Sequence, residues 1–235
     1  MPEVFFNGPA GRIEGQYAES PNPKAPIALV LHPHPQFGGT MNNKVVYSVY
    51  KLLSENGFTV LRINFRGVGK SLGEHDRGVG EVTDASTALD WLQVNYPMSK
   101  INLIAGFSFG AWIAMQLIMR RPEITNFLAV APPVNKYDFS FLSPCPIPGL
   151  IIQGDKDSVV KEESVHELAQ RLKQKNIDVA YKVISGADHF FREKIDILEE
   201  EINEYLKATF SHQIGKAVKN NGDTTKQRPK KIYLI

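Results

Sequence analysis

Three residue types in this chain can be combined into nucleophilic chemistry: a serine between glycines, a histidine far downstream, and an aspartate between the two. Ser108 sits in Gly106-Phe-Ser-Phe-Gly110. The apolar run Leu103, Ile104, Ala105 before it reads as a strand covered on both faces, and an apolar helix from Ala111 to Arg121 follows, stopped by Pro122. A serine on a tight strand-to-helix turn is the nucleophile elbow, G-x-S-x-G. The competing reading of these five residues is a structural Gly-Ser turn. A serine hydroxyl is a weak nucleophile at neutral pH, so it needs a base, and His189 in Ser185-Gly-Ala-Asp-His189 is the candidate. A carboxylate must then fix the imidazole tautomer and stabilise its charged form. Asp155 and Asp157 compete for that place, whereas Asp188 reads as a turn residue.

The elements that must hold these groups follow from the pattern. Residues 3–18 read as two short strands around Asn7-Gly-Pro-Ala-Gly11. Further strands are expected at Ile27 to Leu31, Phe58 to Phe65, 101–105, Phe127 to Ala131, Gly149 to Gln153 and Val179 to Ile184. Helices are expected at Asn42 to Asn56, Glu81 to Tyr96, Ala111 to Arg121, Val160 to Lys175 and Glu193 to Thr209. This alternation implies an α/β fold, a mostly parallel sheet with helices on both faces. Ligands of such sheets bind outside the carboxyl ends of the strands. Ser108, Asp157 and His189 each lie just after a different strand.

The order Ser…Asp…His, together with the strand–turn–helix context, resembles the α/β-hydrolase fold, over residues 3 to 210. More narrowly, the chain is similar to a small, lidless serine-esterase-like family. The likeness is carried by His32-Pro-His-Pro-Gln-Phe-Gly-Gly-Thr-Met-Asn-Asn-Lys-Val45, Asn64-Phe-Arg-Gly-Val-Gly-Lys-Ser71 and Gly80-Glu81. The resemblance implies a Ser108–His189–acid triad forming an acyl-enzyme. Its Gly-x-x-Asp-x-Val pattern, met here by Gly154 and Val159, selects Asp157 as the acid and leaves Asp155 to bond its own loop. The phrase Gly186-Ala-Asp-His-Phe-Phe191 is similar to the family's histidine loop. An oxyanion hole would take one backbone N–H from Phe109. The second would come from the loop after strand 27–31, where the family places it at His34. Pro33 and Pro35 have no N–H. Pro33 also stands where the family commonly has glycine, so Gln36 and Phe37 remain alternatives. The short connection between strands 127–131 and 149–153, where many relatives insert a lid, implies an open site and small or exposed acyl groups. Phe37, Phe107, Phe109, Trp112, Tyr137, Phe139, Phe141 and Phe190 are candidates for its walls. A peptidase or thioesterase would use the same triad. A non-catalytic scaffold on the same fold commonly lacks a triad member, whereas this chain has all three.

Other functions find less support. His32-x-His34 has the look of a metal pair, but no further ligands of matching spacing accompany it. No metal or organic cofactor is implied. Arg66-Gly-Val-Gly-Lys-Ser71 ends like a P-loop, yet Asn64 stands where the first glycine belongs, and Gly73, Gly78 and Gly80 deny it an immediate helix. It is expected to border the site mouth, with Arg66 in a structural pairing. Across 235 residues, 43% hydrophobic with a net charge of +2, one large domain is expected, and nothing points to nucleic acid. The single cysteine, Cys145, suits a reducing compartment. The first residues lack a signal-peptide pattern and no apolar run is long enough to span a membrane, so a cytoplasmic protein is expected. Residues 1–210 form the predicted domain, and 211–235 a basic tail expected to be poorly ordered.

Overall fold

The computed structural model of the chain describes residues 2–142, 144–173 and 177–214. Eight strands form one sheet in the order β1-β2-β4-β3-β5-β6-β7-β8. They are β1 Glu3–Gly8, β2 Gly11–Ala18, β3 Ile27–Leu31, β4 Thr59–Ile63, β5 Ile101–Phe107, β6 Asn126–Val130, β7 Gly149–Gly154 and β8 Val179–Ile184. The β1–β2 hairpin and the β2–β4 pair are antiparallel, and all the other pairs are parallel. The central strands β3, β4, β6 and β7 are buried at every position. That is why β3 reads as an unbroken apolar run and β6 and β7 as mostly apolar ones, although β4 also buries Arg62 and β7 Gln153. The edge strand β1 instead alternates, burying Val4 and Phe6.

Five helices cover the sheet: α1 Lys44–Glu55, α2 Val79–Asn95, α3 Phe109–Ile118, α4 Glu162–Leu172 and α5 Ile195–Ile214. The period-2 geometry of each strand divides the core in two. Ile27, Leu29 and Leu31 of β3 face α2, α3 and α4, whereas Ala28 and Val30 face α1 and α5. The chain is therefore an α/β-hydrolase sheet with helices on both faces, as its pattern predicts.

Several boundaries differ from the sequence reading. Helix α2 starts at Val79, two residues early, because the buried Glu81 carboxylate reaches back to the Gly78 N–H (2.7 Å). Helix α3 begins directly after Ser108 and ends at Ile118, where the N–H groups of Arg120 and Arg121 turn onto the Leu117 carbonyl. The loop after β3, expected to be neither helix nor strand, contains a short 3-10 turn at Pro35–Phe37; proline fits its first position because that N–H needs no partner. Helix α5 runs on to Ile214, so residues 211–214 belong to a helix and not to the tail. The expected disorder of the rest of the tail concerns residues 215–235, which lie outside the described residues.

Candidate active site

Three strand ends build the site. Ser108 follows β5 with φ 52° and ψ −117°, a conformation costly for a residue with a side chain. The surroundings enforce it. The Ser108 N–H donates to the Val130 carbonyl of β6 (2.8 Å), and its own carbonyl accepts from Ala111 (2.9 Å) in the first turn of α3. Close approach requires both flanking glycines. A Cβ at Gly106 would lie 2.2 Å from the Gly110 oxygen, and one at Gly110 would lie 2.4 Å from the Leu31 oxygen.

Asp157 lies in the loop after β7, and His189 in the loop after β8. The structure joins the three side chains. His189 Nδ1 is 2.7 Å from Asp157 Oδ2, and His189 Nε2 is 3.2 Å from Ser108 Oγ. A carboxylate only accepts, so in the neutral ring Nδ1 carries the proton and Nε2 is free to accept from Ser108. Asp157 is held by three more donors: Val159 and Val160 N–H on Oδ1 (both 2.8 Å) and Gln153 Nε2 on Oδ2 (3.0 Å). Burial pushes its carboxyl pKa up, but the bonds from His189, Val160 and Val159 outweigh burial, and the pKa ends below the usual carboxylate value. All three residues are largely buried.

The rejected carboxylates lie elsewhere in these loops. Asp155 is exposed and accepts from Gly186 N–H (2.6 Å) and Ser185 Oγ (3.2 Å), tying the β7 loop to the β8 loop. Asp188 caps its own turn through Phe190 and Arg192 N–H.

Phe109 and His34 line the same cavity as Ser108 and His189. Phe109 is the first residue of α3, where N–H groups have no partner within the helix. In the β3 loop, two of the three donor candidates are engaged. Gln36 N–H donates to His34 Nδ1 (3.2 Å) and Phe37 N–H to the His34 carbonyl (3.1 Å). That leaves the N–H of His34. The His34 ring packs 4.9 Å from Phe109 and 4.8 Å from His75. Its pKa is lowered by burial first and by the neighbouring His75 second. His32 is fully buried, and its two ring nitrogens meet the Pro33 carbonyl and the Phe65 N–H, so neither is available to a metal. Among the described residues no cluster of three or more His, Cys, Asp or Glu side chains is arranged to hold an ion.

The cavity encloses about 300 Å³ and is walled mainly by apolar groups. Of the eight aromatics expected there, Phe37, Phe109, Tyr137 and Phe190 line it. Phe107 packs beneath His189 (5.2 Å between ring centres), Phe139 belongs to the core, and the half-buried Trp112 and Phe141 pack against it. Loop 66–73 does not reach the cavity wall, contrary to expectation. Arg66 takes the structural pairing expected of it, binding the buried Asp84 of α2 with two nitrogens (3.0 and 2.8 Å). Sequence reading missed Gln153, although it is the one polar side chain in the apolar strand β7. It also missed the buried Glu81, 2.8 Å from His75, beneath the His34 ring. Nor was Lys136 anticipated on the cavity wall.

Comparison with known proteins agrees with this architecture. A protein of Rickettsia prowazekii (strain Madrid E), uncharacterized protein RP471, is 58% identical across 100% of both chains. The crystal structure of ATU1826 from Agrobacterium tumefaciens, described as a protein of unknown function and a candidate alpha/beta hydrolase, is 55% identical and covers 91% of this chain and 98% of its own, with a TM-score of 0.87. XC6422 from Xanthomonas campestris, described as an α/β serine hydrolase without lid, is 31% identical over 88% of this chain and 94% of its own, with a TM-score of 0.80. The dienelactone hydrolase family matches residues 13–214, nearly the whole sheet and all five helices. With its hydrolase fold and its serine, aspartate and histidine after the ends of β5, β7 and β8, the chain belongs to the dienelactone hydrolase family.

Proposed function

We propose that this hydrolase-family protein is a serine hydrolase that cleaves small or solvent-exposed carboxylic esters through an acyl-enzyme. The observation that carries this reading is the hydrogen-bonded line from Asp157 through His189 to Ser108 at an open, apolar cavity. Ser108 Oγ attacks the ester carbonyl while His189 Nε2 takes its proton. Asp157 holds the Nδ1–H tautomer and stabilises the imidazolium that forms. The N–H groups of Phe109 and His34 receive the negative charge developing on the carbonyl oxygen, each worth about 10²–10³ in rate. His189 then returns the proton to the leaving alcohol, and water activated by the same ring releases the acid.

The walls support the substrate range. Phe37 is 80% exposed, and Val159 and Phe190 are also partly open to solvent around the same cavity. Long acyl chains would find little depth to bury in, so short ones are preferred. Cys145, buried and unpaired, fits the reducing, cytoplasmic setting expected from sequence.

Hydrolysis of p-nitrophenyl esters of increasing acyl length tests the proposal. Turnover is expected to be highest on short esters and to vanish in Ser108→Ala. Turnover that survives in Ser108→Ala, or that rises steadily toward long acyl chains, would overturn the serine mechanism or the open site respectively.

A further inference from the structure

The segment His32-Pro-His-Pro-Gln-Phe-Gly-Gly39 does more than contribute one N–H to the reaction. We infer that His32 is a positioning residue for the oxyanion hole, its ring fixing the Pro33–His34 peptide so that the His34 N–H is presented to the carbonyl oxygen attacked by Ser108. This inference rests on the serine-hydrolase reading of the site.

His32 is fully buried at the end of β3. Its Nδ1 lies 2.6 Å from the Pro33 carbonyl oxygen, and its Nε2 accepts the Phe65 N–H at 3.0 Å. A carbonyl can only accept and an amide N–H only donate, so the ring is the neutral Nδ1–H tautomer. One ring therefore bridges the ends of two parallel strands and grips a single carbonyl. The Pro33 carbonyl and the His34 N–H belong to one planar trans peptide and point in opposite directions. Pinning the oxygen aims the N–H. Proline at 33 removes the torsional freedom on the near side.

The rest of the loop holds the far side. The His34 carbonyl accepts both the Phe37 N–H (3.1 Å) and the Gly39 N–H (3.0 Å), Gly38 N–H donates to Pro35 (3.3 Å), and Gln36 N–H donates to the His34 ring (3.2 Å). From 33 to 39, every N–H except that of His34 is engaged within the loop, and His34 lines the cavity with Ser108. Gly39 presses so closely that a Cβ there would lie 2.0 Å from the Pro33 oxygen. The bond from His32 also polarises the peptide it grips, which makes the His34 N–H a stronger donor.

Two carboxamide variants separate the two ring bonds. In His32→Asn the amide nitrogen reaches the position of Nδ1 and can still donate to the Pro33 carbonyl. In His32→Gln the carboxamide reaches the position of Nε2, keeping the Phe65 tie and losing the Pro33 bond. The wild-type protein and Ser108→Ala are assayed first on a short p-nitrophenyl ester. Wild-type turnover that Ser108→Ala abolishes upholds the underlying reading, and any other result fails that reading before His32 is tested. The inference predicts a kcat for His32→Gln at least tenfold below that of His32→Asn, and up to about 10²–10³ below wild type, with KM moving less than threefold. A plain strand tie predicts the reverse order, because His32→Asn is the variant that loses Phe65. Equal kcat values, or a higher kcat in His32→Gln, would overturn the inference. Should His32→Gln fail to fold, Gly39→Ala displaces the same carbonyl from the other side. A folded Gly39→Ala protein with undiminished kcat would overturn it equally.

Discussion

Asp157 commits both carboxylate oxygens, to His189 and Gln153 on one and to Val159 and Val160 on the other. Asp155, two residues away, is exposed and joins two loops. Asp157→Asn should therefore lower kcat by about 10³–10⁴ on a p-nitrophenyl ester, because an amide in that place no longer enforces the Nδ1–H tautomer. Asp155→Asn should stay within a few-fold of wild type. Equal losses in the two variants would contradict the assignment. His32 carries a second prediction at this scale. Burial lowers its pKa from 6.5 to about 4. As the pH falls, the unfolded chain therefore takes up this proton before the folded protein does. The stability held above pH 6.5 declines down to about pH 4 and then levels off, by about 3 kcal/mol over that window at roughly 1.4 kcal/mol per unit. His32→Asn removes the titrating group. Thermal midpoints of wild type and variant should thus converge between pH 7 and pH 4, and a constant gap would show that His32 does not titrate as described.

Between strand β5 and helix α3, the nucleophile depends on clearance. Gly110→Ala would put a methyl group 2.4 Å from the Leu31 oxygen and 2.6 Å from the His32 oxygen, both backbone atoms that cannot swing aside. Such overpacking should cost about 3 kcal/mol or more, seen as a lowered thermal midpoint, with loss of esterase turnover in whatever folds. A stable, active Gly110→Ala protein would mean that the helix can withdraw from β3. The elements themselves were readable, β3 because a buried parallel strand can be an unbroken apolar run, and both β3 and the edge strand β8 have the bounds expected from sequence. Helix starts were less readable, because they depend on contacts across the fold, such as the reach of Glu81 to Gly78. Ser108 and His189 were legible as candidates from their places after strands, whereas only the family resemblance told Asp157 from Asp155. The Glu81–His75 pair was not legible, since only the folded loops bring it beneath His34. A structural pairing of Arg66 was legible, but its buried partner Asp84, 18 residues away, was not, for a related reason.

Across the whole molecule, the parallel core places the carboxyl ends of β3, β5, β7 and β8 along one rim, and each delivers one part of the site. The connection from β6 to β7 crosses that rim with a single 3-10 turn at Ser140–Leu142 among the described residues, and the cavity stays open between Phe37, Val159 and Phe190. The site is assembled by strand ends that pack in the core. Among the described residues no helix is long and apolar enough to cross a membrane. The central claim is that Ser108 is an activated nucleophile. Its most direct test is reaction with a fluorophosphonate followed by peptide mass spectrometry. The wild-type protein should take up one adduct per chain on Ser108, at a rate lowered by about 10³ or more in His189→Ala. An adduct on any other residue, or a Ser108 that labels equally fast without His189, would contradict it.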